Sequence, residues 1–289
     1  MTDLRIDAHH HVWDLAVRDQ PWTADVPALR RSFTFGELRP QLAAAGVGGT
    51  VLVQTITVAD ETPEFLRLAA QHPEIVGVVG WIDLTDPACA DLLAHLQDAE
   101  GGRYLVGIRH QVQNEPDHRW LLRDDVTRGL AAVAKAGLVY DLLVTPEQLP
   151  AAVETVGRNP AVRFVLDHAG NPDIAAGDLS RWRRLMSSLA ALDNIDVKLS
   201  GLFTRVDSNW GPDIIRPYVH TLLELFGAER IMFGSDWPVS TLRADYVHVA
   251  HLTEQLLSGC STPHEAAAIF GATARRVYSL DSSGFRSDA

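Results

Sequence analysis

Eight short runs of almost unbroken apolar residues recur along the 289-residue chain, each followed by a stretch with helical spacing. The runs are Leu4–Ala8, Thr50–Gln54, Ile75–Trp81, Tyr104–Arg109, Leu138–Leu143, Arg163–Asp167, Ile195–Leu199 and Arg230–Phe233. A strand with one wet face alternates apolar and polar residues. A strand buried on both faces does not, so these runs point to a parallel sheet covered by helices. The helical stretches fall at residues 35–45, 62–71, 87–98, 120–135, 146–157, 179–192, 212–226 and 242–257, and a further helix is expected over 262–278. Thr62-Pro63, Asp86-Pro87 and Thr145-Pro146 read as cap plus first turn, and Gly46 as a helix stop. Eight strands alternating with eight helices in ~250 residues have the count and size of an α/β fold of the (β/α)8 barrel type. The rival is a doubly wound open sheet, which usually carries G-x-G-x-x-G after its first strand. Here histidines follow the first strand, and Gly46-Val47-Gly48-Gly49 precedes a strand and reads as a turn. One barrel domain over residues 1–280 is expected, with a loose tail rich in Ser and Asp over 281–289.

Charge and composition narrow the partners. Asp and Glu number 37 against 25 Lys and Arg, a formal charge of −12, which argues against nucleic acid or an anionic membrane as partner. No run approaches the length of a membrane span, and the first residues carry no apolar core of a signal peptide. Cys89 and Cys260 form no C-x-x-C, which suits a reducing, cytoplasmic setting. The expected partner is a small molecule, with a homo-oligomer left open.

In a (β/α)8 barrel the active site lies where the strands end. Here those ends carry His9-His10-His11, Gln54, Asp83, Arg109-His110-Gln111, Asp141, Asp167-His168, Lys198-Leu199-Ser200 and Ser235-Asp236-Trp237. A scaffold has no reason to gather such groups, because buried polar groups are costly unless paired. His9 and His11 are two apart, so in an extended strand both face one way while His10 faces the other. An isolated H-x-H pair is often merely hydrogen-bonded in a core. His168 and Asp236 supply a third and fourth ligand of the correct type, and imidazole plus carboxylate suits zinc or manganese. Barrel closure makes strands 1 and 8 neighbours, which brings Asp236 beside the histidines. Of twelve histidines, only His9, His11, His110 and His168 sit where chemistry is expected.

Five motifs carry a family resemblance: Ile6-Asp7-Ala8-His9-His10-His11-Val12-Trp13-Asp14, Gly107-Ile108-Arg109-His110, Leu166-Asp167-His168-Ala169-Gly170, Val197-Lys198-Leu199-Ser200-Gly201-Leu202 and Phe233-Gly234-Ser235-Asp236-Trp237-Pro238. In this order they resemble the amidohydrolase superfamily, in its lactonase-like amidohydrolase 2 branch. The resemblance implies a hydrolase opening a sugar-acid lactone such as L-fucono- or L-rhamnonolactone. Relatives in the branch also open aromatic-breakdown lactones of the pyrone dicarboxylate and muconolactone type, and a metal-dependent decarboxylase is a further alternative. Two-metal members of the superfamily carry a carboxylated lysine or bridging acid on strand 4 and a histidine on strand 5. Arg109-His110 and residues 138–144 offer neither. One divalent metal is the ceiling, held by His9, His11, His168 and Asp236, and metal-independent action stays open.

Opening a cyclic ester requires a water, a base, an electrophile at the carbonyl and a proton for the leaving oxygen. Asp236 is the candidate base, and His168 and Arg109 complete the catalytic set. Without a metal, the histidines and Arg109 would stabilise the oxyanion, each donor contributing roughly 3–4 kcal/mol. His110, Gln54, Asp83, Lys198, Asp141, Trp13 and Trp237 are candidates to contact substrate, and Asp141 could instead orient a ligand. Asn209 and Trp210 join them on the loop after strand 7. A dicarboxylate would need several converging arginines, so Arg109 with at most Arg205 tilts the reading toward a neutral polyol lactone.

Overall fold

A computed structural model describes residues 4–177, 179–206 and 211–280. The expected tail at 281–289 and the candidates Asn209 and Trp210 lie outside the described residues. Eight strands form one parallel sheet in chain order: β1 Arg5–His10, β2 Val47–Val53, β3 Ile75–Gly80, β4 Leu105–His110, β5 Val139–Leu142, β6 Arg163–Leu166, β7 Ile195–Leu199 and β8 Ile231–Phe233. Short contacts past the end of β8 close the ring. Asp236 N donates to His9 O at 2.8 Å and His11 N to Trp237 O at 2.7 Å. The chain is a single-domain (β/α)8 barrel.

The outer layer comprises α1 Phe35–Ala44, α2 Glu61–Gln71, α3 Cys89–Asp98, α4 Asp124–Lys135, α5 Leu149–Arg158, α6 Leu179–Ala190, α7 Pro212–Phe226 and α8 Tyr246–Leu257. The apolar runs are continuous because the two faces of each strand serve two cores. Tyr140, Phe164, Val197 and Phe233 pack outward with the helices. Val51, Val53, Val79, Val139, Val165 and Met232 fill the interior together with Ala274, Val277 and Tyr278. Those last residues come from the final helical segment, Pro263–Ala267 (α9), a π-turn Ala268–Ala272, and Thr273–Val277 (α10), which closes the N-terminal end of the barrel.

Several boundaries differ from expectation for local reasons. β2 begins at Val47, so Gly48 and Gly49 belong to the strand. A Cβ on Gly48 would lie 2.4 Å from Leu4 Cδ1, so glycine lets β1 and β2 approach. Gly46 does end α1, with φ +65. Thr62 sits inside α2 and does not cap it. Its hydroxyl accepts from Trp81 N at 2.8 Å and donates to Trp81 O at 2.9 Å, tying α2 to the end of β3. Asp86 closes a turn through Ala88 N at 2.7 Å, and α3 starts at Cys89. Gln148 takes the place expected for Thr145 ahead of α5. Short 3₁₀ turns at Trp120–Leu122 and Val239–Leu242 delay α4 and α8.

Candidate active site

His9 of β1 and His11, just past its end, reach the barrel mouth through an irregularity in the strand. Asp7 pairs with Thr50 and His10 with Leu52, so β1 spends three steps on two of β2. The extra residue is a bulge, which bends the strand and re-aims its side chains. Ile6 and Ala8 pack in the lower interior with Val51, and beyond the bulge His9 and His11 meet, their Nε2 atoms 3.1 Å apart. Asp7 Oδ1 holds the bulge by accepting from His9 N at 3.0 Å and from Ser235 N at 2.8 Å, bridging β1 to the chain after β8. His10 points the other way, as expected, and packs against Phe35 of α1.

His168 and Asp236 arrive on strained backbone. His168, Ala169 and Asn171 have φ of 53, 51 and 53, and Asp236 has φ 56. The left-handed region is unfavourable for side chains other than Gly and clusters at functional sites. Asp236 Oδ1 lies 3.6 Å from His11 Nε2, 3.8 Å from His9 Nε2 and 4.0 Å from His168 Nε2. Ligands bonded to zinc at 2.0–2.1 Å in a tetrahedron stand ~3.3 Å apart. The His9–His11 pair at 3.1 Å and Asp236 Oδ1 at 3.6 to 4.0 Å from the three imidazoles, with the ligand atoms of His9, His168 and Asp236 within 4.8 Å of one another, frame a space near that size. The outer nitrogens support the same use. His11 Nδ1 meets Val53 O at 2.8 Å, and a carbonyl only accepts, so Nδ1 carries the proton and Nε2 turns its lone pair inward. His168 Nδ1 meets Ser200 Oγ at 2.9 Å. The chemistry and spacing of the set fit a divalent ion.

Beneath this cluster lies a buried charged layer. Arg109 bonds Asp167 Oδ2 at 2.9 Å and Gln54 Oε1 at 3.0 Å, and its Nη1 is 3.3 Å from His9 Nε2. Lys198 bonds Asp141 at 2.5 Å and Asp167 at 3.0 Å. Burial raises the carboxyl of Asp167, but Lys198, His9 and Arg109 outweigh it and hold the group well below its ordinary range. Asp236 is likewise pushed up by burial and pulled further down by His168, His11 and Arg109, so it is ionised at neutral pH. Burial drives His9 well below its ordinary value and His168 to about 4, leaving both neutral and able to bind a cation.

Above the cluster opens a polar cavity of about 150 Å³, lined by His11, Arg109, His168 and Asp236 and by Trp22, Thr55, Gln111, Gln113, Asn114, Asn171, Thr204 and Arg205. Five of the expected site residues, His9, His11, His168, Asp236 and Arg109, come together at or just below this cavity. The other candidates among the described residues have different surroundings. Gln54, Asp141 and Lys198 are fully buried below the cavity, engaged with Arg109 or with one another. Asp83 is exposed and closes a turn on Thr85. His110 is taken up by Trp81 Nε1 at 3.0 Å and Glu115 at 2.8 Å and stacks on Trp120. Trp13 and Trp237 pack on Phe33 behind the wall.

Sequence reasoning missed Gln113, Asn114 and Asn171, which sit on short turns after β4 and β6. The one signal available was an amide following a strand-end motif, as in Asp167-His168-Ala169-Gly170-Asn171.

The amidohydrolase family model matches residues 6–280. An L-fucono-1,5-lactonase from Burkholderia multivorans is 39% identical over 97% of both chains. An L-rhamnono-gamma-lactonase from Scheffersomyces stipitis is 25% identical over 62% of this chain and 56% of its own. Among solved structures, an amidohydrolase from Burkholderia multivorans with bound zinc superposes with a TM-score of 0.90 at 38% identity, over 96% of this chain and 100% of its own.

Proposed function

This chain belongs to the amidohydrolase family, and from that premise we propose that it is a lactonase opening a small sugar-acid lactone, L-fuconolactone foremost. The observation that carries the reading is the approach of three imidazoles to the Asp236 carboxylate, at 3.6 to 4.0 Å, at the floor of a polar cavity. The likeness to the L-fucono-1,5-lactonase over nearly the whole chain supports the substrate class. His9, His11, His168 and Asp236 would hold one divalent ion, zinc foremost, with manganese the second choice. Such an ion supplies Lewis acidity at the carbonyl and lowers the pKa of water.

The chain's own groups do the rest. Ionised Asp236 takes the proton of the attacking water as its oxygen bonds the carbonyl carbon. As the ring C–O bond breaks, Asp236 passes that proton to the leaving oxygen, giving a hydroxy acid. Arg109, buried below the cluster and fixed by Asp167 and Gln54, contributes a fixed positive charge that favours the developing oxyanion. Gln111, Gln113, Asn114, Asn171 and Thr204 suit ring hydroxyls, and Trp22 suits an apolar sugar face. A dicarboxylate fits less well, because Arg109 is already bound to Asp167 and leaves Arg205 as the one other arginine among the described lining residues.

The test is a pH-indicator assay of acid release, run side by side on L-fucono-1,5-lactone, L-rhamnono-gamma-lactone, pyrone dicarboxylate and a muconolactone, before and after chelation and zinc return. Turnover of the sugar lactones with loss and recovery on metal removal and return is expected. Faster turnover of an aromatic-derived lactone, or carbon dioxide release from a benzoate, would replace the reading.

A further inference from the structure

One buried carboxyl away from the cluster reaches the cavity wall through a line of hydrogen bonds. Glu61 opens α2, and its side chain turns under the loop after β2. Its Oε2 accepts from Thr55 N at 2.8 Å and from Ile56 N at 3.4 Å, and its Oε1 accepts from the Thr55 hydroxyl. Gln20 Nε2 donates to that same hydroxyl at 2.9 Å, and Trp22 Nε1 donates to Gln20 Oε1 at 2.8 Å. Glu61, Thr55 and Gln20 are buried, while Trp22 lines the cavity.

Each direction in this line is forced. An indole N–H only donates, so the Gln20 amide turns its oxygen to Trp22 and its NH2 to Thr55. The Thr55 hydroxyl then receives from Gln20 and must place its own proton on an acceptor, which Glu61 supplies. Trp22 sits on a short 3₁₀ turn, Pro21–Thr23, so the angle of its ring depends on tertiary bonds. Trp13 meets that ring edge to face, with centroids 5.3 Å apart, and the Gln20 oxygen fixes its polar edge. Thr55 also ties in the wall beside β4, where Gln111 Nε2 donates to Thr55 O at 2.9 Å.

We propose that Glu61 is a positioning residue for substrate: through Thr55 and Gln20 it sets the angle of the Trp22 ring, the face offered to the sugar. The sugar half rests on the lactonase reading of the cavity, whereas the setting of Trp22 is measurable without turnover. The test uses Glu61→Gln, Gln20→Leu and Thr55→Val, with Thr55→Ser as the variant that keeps the hydroxyl. In protein labelled with nitrogen-15 at tryptophan, the Trp22 indole peak is identified by its loss in Trp22→Phe. That peak should shift and exchange its proton faster with solvent in the first three variants and hold its place in Thr55→Ser. On L-fucono-1,5-lactone, Glu61→Gln and Gln20→Leu should raise KM about 3- to 10-fold with kcat within about twofold, the mark of losing one hydrogen bond's worth of uniform binding. In a Trp22→Phe background, Gln20→Leu should raise KM no further, because both changes cut the same line.

An unmoved Trp22 peak in Glu61→Gln and Thr55→Val would overturn the proposal and leave Glu61 an anchor of the loop after β2. A KM cost of Gln20→Leu that persists in full beside Trp22→Phe would overturn it as well. Should Glu61→Gln not fold, Thr55→Val and Gln20→Leu decide the same question with the carboxyl in place. A shifted peak in a chain that opens no sugar lactone would leave Glu61 setting Trp22 and remove the sugar half together with the proposed function.

Discussion

Asp236 combines two demands in one residue, an unfavourable backbone conformation with φ 56 and a carboxylate against His11. Asp and Asn are the side chains that tolerate the left-handed region best. Asp236→Asn should therefore fold and melt as the parent does while losing the base, so kcat on a sugar lactone should drop by two orders of magnitude or more. Circular dichroism and steady-state kinetics on the same preparation check both halves, and a near-normal rate would take the base role from Asp236. Gly201 makes a complementary point, because it has φ +67 and a Cβ there would lie 2.7 Å from the His168 ring. Gly201→Ala should push His168 off the cluster and cost roughly 1 kcal/mol or more from the φ requirement alone. A melt a few degrees lower together with a zinc stoichiometry below one per chain is the expected result. Unchanged zinc uptake would show that His168 is not held by this contact.

At the scale of elements, the strand ends were legible because their chemistry is local. A run of apolar residues stopping on His9, Arg109, His168 or Asp236 marks both a strand and its site-facing terminus. What lay between them was not legible. The bulge in β1 has no composition of its own, and it makes Asp7 a clamp between β1 and the chain after β8. The same holds for the cavity wall, because Gln113, Asn114 and Asn171 lie on short turns set by tertiary contacts. Buried Lys198 and Asp141 pair with each other, a role the sequence does not separate from substrate contact, since a charged strand end looks alike in both cases. The Asp7 clamp is testable because one oxygen, Oδ1, accepts both bonds. Asp7→Asn keeps that oxygen and should fold with a change of about 1 kcal/mol or less. Asp7→Ala leaves two buried amides unpaired, at about 1–3 kcal/mol each. Urea unfolding midpoints of the two variants should separate accordingly, and equal losses would mean that the clamp is not what holds the bulge.

Across the whole molecule, buried ionisable groups pull the pH dependence of stability in opposite directions. Burial pushes His10 to about 3 and His168 to about 4, and His9 well below its ordinary value. An unfolded chain protonates these imidazoles near pH 6.5 while the fold does not, so each removes stability as pH falls below that value. Burial also raises Asp7 and Asp141 to about 6. Between about pH 4 and 6 these carboxyls are protonated in the fold and ionised in the unfolded chain, so each adds stability as pH falls through that window. Burial lowers His110 as well, and it raises Glu61 and Asp196, so lowered imidazoles and raised carboxyls largely offset one another. Metal-free protein should accordingly change little in stability from pH 6 to 4, and not lose it at the steep rate that the imidazoles alone would give. Asp7→Asn removes one opposing carboxyl, so its stability should fall more steeply than the parent's by up to about 1.4 kcal/mol per pH unit, while at pH 7 it is spared the buried charge. Urea midpoints of the two proteins at pH 7, 6, 5 and 4 decide this. Parallel curves would mean that Asp7 already carries its charge at pH 4, held there by the amides of His9 and Ser235.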